Sequence, residues 1–161
     1  MKIFTKATSA QKPKSKESQN IAYMYAAILV IFAVAQLFTF DSFLILIESF
    51  WMPGGKTFAY LLGSTIVVSE VLAIPFLLQI KLSPLMRIVS MVMGWLAPLL
   101  WLIISLWLIF TVNAVSNVGL LGTTVNLLPG WWAVFISIAL GVLAAWASWG
   151  LWPCRKTKSK K

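Results

Sequence analysis

The chain has 161 residues, of which 60% are hydrophobic and only 11% charged, with a mean hydropathy of +0.91 and a net charge of +9. A soluble domain carries roughly 25% charged residues, so this balance excludes a soluble globular enzyme and describes an integral membrane protein. The length leaves no room for a second folded domain, and the chemistry of the protein belongs in or at the bilayer.

Residues 1–20 form a basic tail containing Lys2, Lys6, Lys12, Lys14 and Lys16. Four apolar runs follow, at about 21–40, 57–80, 88–112 and 131–152, each reaching the roughly 20 residues that span a hydrocarbon core. The fold class expected is an all-α membrane protein: a four-transmembrane-helix bundle occupying residues 21–152, closed by a second basic tail over 153–161. At the first run, a basic tail followed by apolar residues and Ala33-Val34-Ala35 resembles a secretory signal. The leading tail is long, however, and the run continues through Leu37, Phe38 and Phe40, so an uncleaved span is expected.

The link after the first run begins with Asp41 and Ser42, both good helix N-caps, and ends at the turn signal Pro53-Gly54-Gly55. It predicts a short helix lying at the outer interface, with Phe50 and Trp51 as headgroup-level anchors. The other outer link, Thr111 to Gly130, is rich in Asn, Gly, Ser and Thr and has no charge, which suggests a segment close against the membrane surface. Asn113, Asn117 and Asn126 all lack a Ser or Thr two positions on, so no glycosylation sequon is available.

Twelve of the 13 basic residues fall on one side of the membrane: the two tails, plus Lys81 and Arg87 between the second and third runs. Lys56 is alone on the other side, with Asp41 and Glu48. The positive-inside rule therefore places both termini in the cytoplasm, in the plasma (inner) membrane. The tails have no interleaved aromatics, so they read as topology determinants resting on anionic headgroups of the lipid bilayer and not as a nucleic-acid surface.

Small residues indicate where helices meet. On the fourth span Ala133, Ser137, Gly141 and Ala145 recur every four positions, a stripe that admits a neighbouring helix or, in a homodimer, a second copy. On the third, Gly94, Pro98, Trp101 and Ser105 share a face, with Pro98 expected to kink the helix. Most of the nine Trp residues lie near span ends or opposite the small stripes, as in interfacial belts. Trp95 and Trp101 lie deeper, where they fill the core or line a cavity.

There is no His, and the single Cys is Cys154. Intramolecular disulfide exchange is thereby excluded, and the usual ligands for zinc, haem or copper are missing. No phosphate-binding loop, dinucleotide fingerprint or nucleophile elbow occurs. No catalytic residue, metal or cofactor is expected, and an autonomous enzyme is not.

The remaining signal lies in the polar residues of the spans: Gln36, Ser64, Thr65, Ser69, Glu70, Ser90 and Ser105. Glu70 stands out, because a charge at mid-bilayer costs about 3 kcal/mol on insertion scales and needs a partner, a proton or a purpose. Gly63, Ile66, Val67, Glu70, Ala73, Ile74 and Leu77 share one side of the second span, which should press against a neighbour. Pro75 frees the carbonyl of Val71, and Ser64, Thr65 and Ser69 lie within two turns, so Glu70 can donate internally as the neutral acid. Glu70, Gln36 and Ser69 are the candidate polar site, functional or structural.

Four helices with both ends inside, a first helix closing on Ala35-Gln36-Leu37-Phe38-Thr39-Phe40-Asp41, a short hydrophobic link ending Pro53-Gly54-Gly55, and Ala59-Tyr60-Leu61-Leu62-Gly63 leading to Glu70 resemble the DoxX-like superfamily, nearest to its methylamine-utilisation MauE branch. The resemblance covers about residues 22–112 and, by position alone, the last helix. It implies a recurrent acid on helix two, here Glu70, and a Gly followed by a basic residue at the end of helix one. Gln36 and Thr39 stand in that place, so an ion pair between helices one and two lacks its basic member. The resemblance further implies an accessory membrane protein attached to a redox, sulfur or maturation system. Three functions stay open: an accessory or scaffold subunit for a membrane protein partner, a small proton- or cation-coupled transporter using Glu70, and a quinone- or lipid-binding subunit.

Overall fold

The computed structural model describes residues 13–111 and 115–151; most of the N-terminal basic tail and the whole of the C-terminal one, with Cys154, lie outside the described residues. Five helices follow in order: α1 (Lys16–Phe38), α2 (Phe40–Glu48), α3 (Gly55–Leu77), α4 (Pro84–Thr111) and α5 (Trp131–Leu151). All but α2 are long and apolar enough to cross a bilayer. Each of these four packs on two neighbours, in the cyclic order α1, α3, α4, α5, which closes a ring.

α1 starts at Lys16, ahead of the apolar run that begins near residue 21, because Ser15 caps it: its side chain accepts from Ser18 N at 3.1 Å. Hydropathy misses this polar first turn. The turn docks against the end of α5, where Lys14 N donates to the Gly150 carbonyl at 3.1 Å and the Lys14 ammonium lies 4.4 Å from the Trp149 ring centre. Gly150 permits the approach, since a Cβ there would sit 2.3 Å from Ser18 Cβ. The start of α1 and the end of α5 thus define one end of the bundle, called here the terminal side; the α2 end is the far side.

The interior divides into two clusters. Toward the terminal side it is made largely of alanines, including Ala22, Ala26, Ala73, Ala97, Ala144 and Ala147, with Tyr25 among them. Toward the far side it is bulky, built on Phe43, Phe50, Ile66, Trp101 and Leu108. Small side chains let four helices close tightly in the first half. The second half is wider and takes additional elements to fill it.

α2 is one of those elements, the expected short helix after the first span, and it is partly built into the bundle. Phe43, Ile47 and Phe50 are fully buried, and Phe43, Leu44 and Ile47 are the atoms that a Cβ on Gly63 would meet. The helix stands against the first turns of α3 because its apolar face fills the space left by Gly63 and Ala59. Phe50 is therefore core, and Trp51 alone, 83% exposed, is placed as an interfacial anchor.

Two further expectations are sharpened. On α5 the buried positions include Ala133, Ser137, Leu140, Ala144 and Ala147, whereas Gly141 and Ala145 of the expected stripe are only partly covered within one chain and a Cβ on Gly141 would meet nothing within 4 Å. A strict four-residue repeat drifts around a helix of 3.6 residues per turn, while alternating steps of four and three stay on one side. Trp95 faces outward and donates to Ser148 Oγ at 3.0 Å; it lines no interior cavity.

Hydroxyls from neighbouring helices bond the backbone beside both prolines inside the spans. Pro98 has no N–H for the Gly94 carbonyl, and the hydroxyl of Tyr25, arriving from α1 across the ring, donates to that carbonyl at 2.6 Å. Near Pro75, Ser90 of α4 accepts from Phe76 N at 3.0 Å and donates to the carbonyls of Leu72 and Ala73. A backbone acceptor opened inside a bilayer has no water to turn to. Tyr25→Phe should therefore lower stability by about 1–2 kcal/mol, and Pro98→Ala in the same background should restore most of it by returning an N–H to the Gly94 carbonyl. Melting temperatures in detergent for the two single variants and the double variant test this; additive effects would show that the two sites are not linked.

Candidate functional site

Glu70 lies at the junction of the two interior clusters, between Val67 of the bulky one and Ala73 of the small one, and is fully buried. At about 1.5 Å of rise per residue it is about 22 Å from the Gly55 end of α3 and about 10 Å from the Leu77 end. Its face of α3 is the one periodicity predicted, with Phe76 buried beside it and Ile74 turned partly outward.

One carboxyl oxygen, Oε1, accepts two hydrogen bonds: from the Trp101 indole N–H of α4 at 2.9 Å and from the Gln36 amide of α1 at 3.3 Å. Neither partner carries a charge. The other oxygen, Oε2, is buried without a partner, as are Gln36 Oε1 and the Ser105 hydroxyl one turn beyond Trp101. Both donors therefore converge on one oxygen of the carboxyl, and the other oxygen is left without a protein partner.

The far-side loop completes the enclosure. Gln36 Nε2 also donates to the Leu120 carbonyl at 3.1 Å. Asn117 shapes the loop from within: its Oδ1 accepts from Gly119 N at 2.9 Å and from Leu127 N at 3.3 Å, and its Nδ2 donates to Gly122 O at 3.1 Å. Gly122, at φ +60, lies directly on α1, where a Cβ would come within 2.7 Å of Thr39 Oγ1 and 2.9 Å of the Ala35 carbonyl. Thr123 N donates to Thr39 Oγ1 at 3.2 Å. Val118 and Leu120 are buried among the far-side core residues. The uncharged link thus enters the mouth of the bundle, rather than resting on the membrane surface.

The structure brings Gln36 and Glu70 together and leaves Ser69 out. Ser69 Oγ donates to the Ile66 carbonyl of its own helix at 2.7 Å, and Thr65 does likewise to Leu61. Short hydroxyl side chains in helices back-bond in this way. Of the packing positions, Ser137 is buried and bonds to Ala133 O at 2.8 Å. The partner that sequence reasoning missed is Trp101. A buried indole N–H requires an acceptor, and Glu70 was the one acid inside a span, which is the signal that pairs them.

Replacing Gln36 with Leu keeps the volume but removes the donor to both Glu70 and Leu120. Gln36→Leu should lose about 1–3 kcal/mol and speed amide hydrogen exchange at Thr123 and Leu127 while leaving the terminal-side half unchanged. Unaltered loop exchange in a destabilised protein would mean that Gln36 does not hold the loop. Comparison with known proteins finds no matching family model, no matching curated protein and no matching solved structure.

Proposed function

We propose that this chain is a non-catalytic, DoxX-like integral membrane protein that serves as an accessory or scaffold subunit for a membrane protein partner, with Glu70 as an internal strut. The observation that carries the reading is the set of contacts around Glu70. Its partners are uncharged donors on two other helices, one of which also pins the covering loop. Such a group fixes helix positions and presents no reactive atom to a substrate. The redox or maturation character of the partner follows from the DoxX-like resemblance by analogy of fold, which does not by itself determine activity. Both termini are cytoplasmic in this reading, by the distribution of basic residues.

A second reading rests on the unpartnered Glu70 Oε2 and Gln36 Oε1. A buried acid with one free oxygen is the element a small proton-coupled transporter would use.

Glu70→Gln separates the two. Glutamine keeps an acceptor for Trp101 and Gln36 and places an N–H2 where Oε2 lay, so the strut survives. Its melting temperature should move by only a few degrees, and a partner chain recovered with the wild-type protein in mild detergent should be recovered equally with the variant. Glu70→Lys should abolish folding, because a cation there meets no carboxylate in any span. A well-folded Glu70→Gln protein that has lost proton-coupled uptake in liposomes, shown by the wild type under the same gradient, would transfer the assignment to the transporter.

Orientation has its own measurement. Cys154 in intact cells should resist a membrane-impermeant maleimide and react after permeabilisation. Labelling from outside would invert the topology.

A further inference from the structure

On the far side, α2 and the start of α3 form two walls of a cleft of about 540 Å³, closed above by the Trp51–Gly55 link. Glu48, the last residue of α2, stands on one wall, and Lys56, the second residue of α3, on the other. Among the described residues no ion pair joins them. The Lys56 ammonium lies 5.2 Å from the Tyr60 ring centre. Three residues from Glu48, Ile45 is 60% exposed and continues one wall as apolar surface, and Ala59, buried against α2, forms the floor. At the lip Trp51 is held at φ +52, in the left-handed region, with its indole 83% exposed. That conformation is strained for a non-glycine residue, and here it turns a large amphipathic ring over the opening.

This cleft has the vertical order of an amphiphile: two opposite charges at the rim, at the level where the spans end, and an apolar slot beneath. A simple anion entering to meet Lys56 would face the Glu48 carboxylate, and a simple cation would face the Lys56 ammonium. A group carrying both charges satisfies both walls. We infer that the cleft binds the headgroup of a zwitterionic phospholipid of the phosphoethanolamine type, its phosphate on Lys56, its primary ammonium on Glu48, its glycerol region under Trp51 and an acyl chain along Ile45. Indole rings favour that interfacial level, and a primary ammonium donates hydrogen bonds to a carboxylate. The site is separate from Glu70 and does not depend on the accessory or transporter reading.

The test uses the full chain in nanodiscs of equimolar phosphatidylethanolamine, phosphatidylcholine and phosphatidylglycerol, followed by native mass spectrometry of the lipids that remain bound on release. Phosphatidylethanolamine should be retained over phosphatidylglycerol by about fivefold, the scale of one charge contact at a membrane surface. Lys56→Gln should abolish that retention. Glu48→Gln should reverse the preference toward phosphatidylglycerol, because the cleft then presents only a cation. Both substitutions are at surface positions, and unchanged melting temperatures in detergent would establish that the variants are folded. Equal retention of the three lipids by the wild type, retention indifferent to both substitutions, or a Glu48→Gln variant that keeps its preference for phosphatidylethanolamine would each overturn the assignment. So would displacement of the lipid by a co-purifying protein seated on Trp51.

Discussion

A carboxyl group placed where there is no water and no cation has to be met by donors, and meeting Glu70 organises the far half of this bundle. Trp101 and Gln36 converge on the same oxygen from helices on either side of α3. α1 and α4 lie diagonally across the ring, and the Glu70 carboxyl links them on the far side as the Tyr25–Gly94 bond does toward the terminal side. Gln36 has a second N–H to place once it has met Glu70, and that N–H draws the Leu120 carbonyl inward. The position of the far-side loop is thus set partly by the need to satisfy one amide in a low-dielectric interior.

The same rule operates at the prolines. At Pro98 a hydroxyl from another helix meets the carbonyl the proline leaves open, Tyr25 at Gly94, and beside Pro75 the Ser90 hydroxyl enters the backbone ladder between Phe76 N and the Leu72 and Ala73 carbonyls. These bonds are also cross-links. They fall on the terminal-side half, where alanine packing brings backbones close enough for short side chains to reach. The far half has bulkier residues and relies on inserted elements, α2 and the 115–130 loop, for its closure.

How much of this can be read in the sequence follows from which forces act locally. The four spans and the buried face of α3 are legible because hydropathy and a 3.6-residue period report directly on contact with lipid or with helices. The start of α1 is missed because its first turn is polar, and a cap at Ser15 weighs little against a hydropathy window. The burial of Phe50 and of Val118 and Leu120 in the loop is not legible for a different reason. An apolar or neutral link is compatible with a membrane surface and with a bundle mouth alike, and the choice depends on a cavity that exists only after the spans have packed. Ser69 looked like a partner of Glu70 because it is adjacent in sequence, yet adjacent residues on a helix point about 100° apart. Trp101 is distant in sequence and was therefore silent, although the demand of a buried indole N–H for an acceptor was already present.

α2 connects the interior site to the far-side surface. The Phe43 ring lies 6.5 Å from the Trp101 ring, tilted by 50° against it, and Trp101 is the stronger of the two donors to Glu70 by distance. Five residues on, Glu48 forms a wall of the surface cleft. A helix of nine residues held by Phe43, Ile47 and Phe50 moves as one body if it moves at all. The interior acid and the surface cleft are thus connected by one short packed helix, whose Phe43 end meets the Trp101 ring and whose Glu48 end lines the cleft.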